Sequence, residues 1–308
     1  MRASFGLPTH RVDIPELVTA GAIARLSVAA EAARFDAVFV TEHPAPADAW
    51  LATGGHQALD PFVALSFAAA ATTRLRLQTN LVIPAYRNPF LLAKSVASLD
   101  HLSGGRVVLG IGAGYLQQEF EALGVAFDER NELTDEAIQT MREVWTGRSV
   151  TLSGRHWHAS GNTALPAPAQ AGGPPIWIGG NSRRAMRRAV ELADGWTPMM
   201  AGPRFSERVH TGTIETVADL GARIREAAEY AASIGRVPPL EVAFNPTGAM
   251  GQSANAAEAG ARLVEHAAEL AAVGVTYLNA GAPGASLDEV LAAIEWFGEH
   301  VVPALATL

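Results

Sequence analysis

Short apolar runs rich in β-branched and aromatic residues recur along the chain, separated by longer stretches in which apolar positions return every three or four residues. Eight such pairs follow one another. The spacing predicts strands over Ala3–Leu7, Asp36–Thr41, Leu75–Ile83, Arg106–Gly112, Pro175–Gly179, Gly195–Met199, Leu240–Asn245 and Val275–Ala280. Between them, Val217, Leu220, Ile224, Ala227, Ala231 and Ile234 share one helical face, and Ile23, Leu26, Ala30 and Ala33 repeat that logic. Eight strand–helix units imply a parallel sheet, and their number predicts a (β/α)8 TIM barrel with insertion loops, an α/β fold, over a doubly wound open sheet.

The rhythm breaks between Arg148 and Pro174, where residues 149–158 read as two short strands around Ser153-Gly154 before a run rich in Pro and Gly. This is an expected insertion within a single domain over residues 1–308. The loops Pro44–Leu59 and Ala201–Thr213 are also long, and in a barrel of this kind the loops after the strands build the active site. In the third strand Leu75, Leu77, Thr79 and Leu81 alternate with Gln78 and Asn80, so the apolar set is expected to meet the helices while Gln78 and Asn80 face the interior.

Composition narrows the class. A chain of 308 residues that is 49% hydrophobic buries a large core, and its lack of cysteine removes disulfides, thiolate metal sites and a cysteine nucleophile. The formal charge is −8 with Lys and Arg scattered, so no basic surface for nucleic acid is expected. The N-terminal segment is too short in apolar residues for a secretion signal, and no later stretch offers the roughly 18 uncharged apolar residues of a spanning helix. A cytoplasmic protein acting on small molecules is the expectation.

Candidate chemistry clusters where strands end. After the fifth strand, Gly179-Gly180-Asn181-Ser182 precedes a helix, a corner whose backbone N–H groups and helix dipole suit a phosphate. Arg183 and Arg184 in the first turn are expected to be compensated by that anion. Gly110-Ile111-Gly112-Ala113-Gly114 lacks the spacing of a dinucleotide fingerprint, and close approach of backbone to a planar ligand is expected there instead. The second strand ends in Glu42-His43, where an imidazole can exchange a proton at neutral pH, and Glu119 is a further acid/base candidate. His156 and His158 flank Trp157 without a third ligand, so no metal site is expected. Trp50 and Trp157 are candidate apolar walls.

These residues resemble the luciferase-like monooxygenase superfamily, and within it the coenzyme F420-dependent oxidoreductases. The similarity runs through residues 35–44, 81–115 and 175–196, with Arg87-Asn88-Pro89 and Leu102-Ser103-Gly104-Gly105-Arg106 the most specific part. The resemblance implies a bacterial luciferase-like barrel whose F420, or alternatively FMN, lies across the strand ends. It implies Gly179, Gly180, Asn181 and Ser182 around the phosphate, with Gly112 near the ring. Thr79, Asn80 and Leu81 would support the ring, with a cis peptide at Asn80–Leu81. His43 and Glu119 are the catalytic candidates for hydride transfer to or from a small organic substrate, although Tyr115 stands where certain relatives carry an acid. A homodimer is plausible for the family. An FMN-dependent monooxygenase and a non-catalytic flavin-binding barrel remain the alternatives.

Overall fold

The computed structural model describes residues 1–237, 239–246, 255–281 and 284–308. Among the described residues ten strands form: β1 Arg2–Gly6, β2 Ala37–Val40, β3 Arg76–Thr79, β4 Val107–Ile111, β5 Val150–Ser153, β6 His158–Asn162, β7 Ile176–Gly179, β8 Gly195–Thr197, β9 Glu241–Phe244 and β10 Tyr277–Ala280. Eight of them pair in parallel in the order β1-β2-β3-β4-β7-β8-β9-β10, and β10 closes onto β1. The barrel expected from the eight repeats is therefore closed. The remaining pair, β5 and β6, is an antiparallel hairpin inside the expected insertion, joined through a Gly154 N–H bond to the Trp157 carbonyl.

Several of the helices between the strands begin where the sequence supplies a cap. Thr19, Asp60, Asn88, Ser182, Thr216 and Ser286 each accept a hydrogen bond from an N–H of the first turn, and Thr216 completes a capping box with Asp219. On the helix Val217–Ser233, Leu220 and Ala227 are buried as the periodicity predicts. Ile234 departs from that face: it lies just past the last turn and is 49% exposed. Ile23, Leu26 and Ala30 of the helix Ala20–Ala32 are buried against the barrel.

Period two divides each strand between an outer and an inner set. Phe5, Leu77, Leu109, Ile178, Phe244 and Leu278 join the helices in the main core, while Val108, Trp177, Ala243 and Tyr277 form a separate cluster that fills the interior. Above them sits a polar layer. Gln78 and Ser4 donate to Asn279 Oδ1, Asn80 and Asn279 donate to Asn245 Oδ1 at 3.0 and 2.7 Å, and Asn245 donates to Thr197 Oγ1 at 2.9 Å. Each of these amides makes at least one bond inside the barrel, with Gln78 Oε1 the buried atom left unpartnered.

The third strand differs from its expected run. Its regular ladder stops at Thr79, the Asn80–Leu81 peptide is cis, and pairing resumes as a single bridge between Val82 and Ile111. Leu81, expected among the helices, instead points into the mouth of the barrel, where its Cδ1 would stand 2.0 Å from a Cβ built on Gly179. Among the described residues no helix is long and apolar enough to cross a membrane.

Candidate active site

A cavity of about 440 Å³ opens at the carboxyl ends of the strands, the end where barrel enzymes hold their chemistry. Its wall is assembled from successive strand ends: Thr41, Glu42 and His43 after β2, Asn80 and Leu81 after β3, Gly112 to Tyr115 after β4, Gly179, Gly180 and Ser182 after β7, and Asn245 after β9.

At one side His43 and Glu119 meet. Glu119 rises from the short helix Gln117–Ala122, is almost fully buried, and places Oε2 3.3 Å from His43 Nδ1. The same oxygen accepts the Tyr86 hydroxyl at 2.9 Å, and Oε1 accepts the Ala45 N–H at 3.2 Å. A carboxylate held by two other donors is an acceptor toward the ring, so the neutral tautomer that fits has its hydrogen on His43 Nδ1 and its free nitrogen at Nε2. Burial and the Glu119 charge push the Tyr86 hydroxyl far above its usual range, which keeps it a donor. Tyr115, whose ring is 6.1 Å from that of His43, is pushed up to about 12 by burial and by Glu119.

Glu42 takes a different part from its neighbour. Adjacent residues on an extended strand end diverge, and Glu42 turns to an ion pair with Arg87 while accepting the Ile83 N–H at 2.7 Å. Burial raises its carboxyl, offset by Arg87 and by the Ile83 N–H. It fastens the strand end and the segment around Arg87 to one another.

Across the cavity lies the glycine corner. Gly180 has φ +103°, a conformation that side chains rarely adopt, and with Ser182, Arg184 and Ala185 it brings the start of the helix Arg183–Leu192 to the wall. Ser182 caps that helix by accepting the Ala185 N–H at 3.1 Å. The expected compensation of the two arginines by an anion is corrected: Arg183 pairs with Glu226 at 2.7 Å, and Arg184 with Glu132 at 2.8 Å and Asp135 at 3.6 Å. Asp135 also pairs with Arg188, which is nearly fully buried. Arg130 is different. It lines the cavity, rests over the Phe127 ring at 3.9 Å and donates to the Phe127 carbonyl at 3.0 Å, with no carboxylate partner among the described residues.

Two expected ligand residues stand elsewhere. Asn181 donates from its side chain to the Met199 and Gly212 carbonyls at 2.9 and 2.8 Å, accepts the Met199 N–H at 3.0 Å, and sends its own N–H to Thr211 Oγ1 at 2.7 Å. All its polar groups go to pinning the 199–212 loop, so it is absent from the cavity wall. Thr79 is likewise buried, with its hydroxyl on the Gly110 carbonyl at 2.8 Å. Gly110 answers that contact: a Cβ there would lie 2.0 Å from the Thr79 carbonyl oxygen, so strand packing, not a ligand, demands this glycine. Gly112 lines the cavity beside Leu81. Trp157 packs edge-on to Phe90 and bonds Glu136, in a separate groove under the hairpin. His156 pairs with Glu129 at 2.6 Å and His158 with Ser153 at 2.8 Å.

Tyr86, Arg130 and His56 had no local signal in the sequence. Each reaches the cavity by folding over a distance that no motif spans.

The sequence profile of luciferase-like monooxygenases matches residues 1–288. The chain belongs to this family. It is 35% identical over 179 residues to an F420-dependent glucose-6-phosphate dehydrogenase of Nakamurella multipartita, a match covering 56% of the chain and half the length of that relative. Among solved structures, a type II Baeyer–Villiger monooxygenase constituent from Pseudomonas putida in complex with FMN superposes with a TM-score of 0.75 at 16% identity, covering 99% of this chain and 98% of the other. An F420-dependent secondary alcohol dehydrogenase in complex with an F420–acetone adduct gives 0.71 at 18%, covering 99% of this chain and 98% of the other. These two structures share the luciferase-like barrel fold with the present chain.

Proposed function

We propose that this luciferase-like protein is a coenzyme F420-dependent oxidoreductase that transfers a hydride between the deazaflavin and a small organic substrate, with His43 as the group that takes or returns the proton. The observation that carries the reading is one cavity holding both parts: a carboxylate-backed imidazole on one wall and a glycine–cation corner on the other.

The residues suit such a cofactor on their own terms. The cavity volume lies within the range of ordinary cofactor sites. Gly180 leaves the corner open where a side chain would intrude, and Ser182, the helix start and Arg130 offer N–H donors and one uncompensated charge to a phosphate. Asn80, Leu81 and Gly112 would bound the ring. Bound there, the deazaflavin supplies a hydride acceptor or donor.

The protein handles the proton. As an alcohol is oxidised its hydroxyl proton goes to His43 Nε2, and the imidazolium that results is met by the Glu119 carboxylate. Tyr86 and the Ala45 N–H hold that carboxylate in place, and Tyr115 beside it closes the wall against water.

Separate titrations of the purified protein with F420 and FMN, followed by cofactor fluorescence, test the reading. Tighter binding of F420, with turnover lost in His43→Ala and binding kept, is the expected result. Preference for FMN together with oxygen consumption would overturn it in favour of a monooxygenase, and binding without any turnover in favour of a non-catalytic barrel.

A further inference from the structure

Two imidazoles stand on the substrate side of the cavity. His43 and His56 both line it, with ring centroids 4.8 Å apart and planes at 82°. Each has one nitrogen engaged by an acceptor. His43 Nδ1 faces Glu119, and His56 Nδ1 lies 2.9 Å from the Gln57 carbonyl, which can only accept. In both rings the hydrogen is therefore on Nδ1 and the lone pair on Nε2. His56 Nε2 meets no protein donor among the described residues. Burial, with the facing His43, lowers the His56 pKa, so this ring is a neutral acceptor at physiological pH, with Glu119 opposing weakly.

The position of His56 is fixed by packing. Its ring lies 5.6 Å from Trp50 and 5.5 Å from His10, and its loop is tied down by the Ala45 N–H on Glu119 and by Arg208, which donates to the Thr53 carbonyl at 3.1 Å. The arginines that line the cavity, Arg130, Arg184 and Arg188, all belong to the phosphate corner. Among the described residues the imidazole wall offers acceptors and aromatic surface but no lining cation, a poor match for an anionic substrate.

We propose that His56 determines specificity by accepting a hydrogen bond from a second hydroxyl on the carbon next to the one oxidised, so that the substrate is an uncharged vicinal diol or polyol. In the step itself one hydroxyl gives its proton to His43 and its carbon gives a hydride to the oxidised deazaflavin. A C=O bond forms, the second hydroxyl is unchanged, and the product is a hydroxyketone. The inference rests on the oxidoreductase reading above.

Matched alcohols test it. With F420-loaded enzyme, kcat/KM for 2,3-butanediol should exceed that for 2-butanol by about tenfold, the worth of one hydrogen bond to a fixed acceptor. His56→Phe should erase that ratio by lowering the diol value alone, and His56→Gln, which keeps an acceptor, should restore part of it. Independently of turnover, ¹⁵N-histidine spectra of the protein should show His56 Nε2 shifting to the hydrogen-bonded value with the diol and not with 2-butanol. Equal loss on both alcohols, an unchanged ratio or an unmoved resonance overturns the assignment. Should the wild type bind F420 but oxidise neither alcohol, the diol assignment falls and the cofactor reading stands. Should it fail to bind F420, the oxidoreductase reading falls and takes this inference with it.

Discussion

His43 and Glu119 are 76 positions apart in the chain, yet Nδ1 of the one stands 3.3 Å from Oε2 of the other. In the proposed reaction the imidazole needs that carboxylate twice, first to keep its hydrogen on Nδ1 and then to offset the positive charge it gains. Glu119→Gln preserves shape and removes the charge. Turnover should fall by about 10²-fold with F420 affinity unchanged, as read by steady-state kinetics beside fluorescence titration. An activity within about threefold of wild type would remove Glu119 from the mechanism.

At the opposite wall, Arg130 has no carboxylate partner among the described residues, while Arg184 and Arg188 are paired. Arg130→Met should weaken F420 binding by roughly tenfold to a hundredfold, the range of a charge-assisted hydrogen bond, and flatten the salt dependence of Kd. Gly180→Asp, which places a carboxylate in the corner and forces a side chain into φ +103°, should abolish binding in the same titration. Unchanged affinity in both variants would move the phosphate elsewhere.

Arg106 is a structural counterpart. Its guanidinium donates to the Ser103, Leu75, Ala69 and Thr72 carbonyls and to the Thr72 hydroxyl, stitching the start of β4 to the segment that leads from the helix Pro61–Ala71 into β3. Arg106→Met strips donors from a ring of partly buried carbonyls. A loss of about 2–4 kcal/mol in urea unfolding is expected, with cofactor affinity retained once folded.

His56 should leave its mark on stability as well. Its folded pKa lies below the ordinary 6.5, mainly through burial, so as pH falls below 6.5 the unfolded chain takes up a proton that the folded one does not. Stability therefore drops with falling pH across the window from 6.5 to the folded pKa, and is recovered above it. Urea melts at about pH 5 and about pH 7.5 should show a smaller difference for His56→Gln than for wild type. Identical differences would mean that the ring titrates freely.

Local patterns carried a good part of the architecture. The eight βα pairs, the hairpin in the insertion, the Ser182 cap and the glycine corner each depend on residues within one turn or one ladder, so periodicity and capping chemistry made them readable. His43 was legible for the same reason, since it sits where a strand ends. Glu119 was visible as a candidate, but not that it would meet His43.

What the chain alone determined is therefore the alternation of strands and helices and the positions where strands give way to loops. Packing of neighbouring strand–helix units against one another decided the rest. It brought Tyr86 to Glu119 and Arg130 to the glycine corner, spent Arg184 on Glu132, turned Leu81 into the mouth and used up Asn181 on a neighbouring loop. Hydrogen bonds and ion pairs act over a few ångströms of space and are blind to distance along the chain, so the partner of each charged or polar group is set only once the barrel is closed.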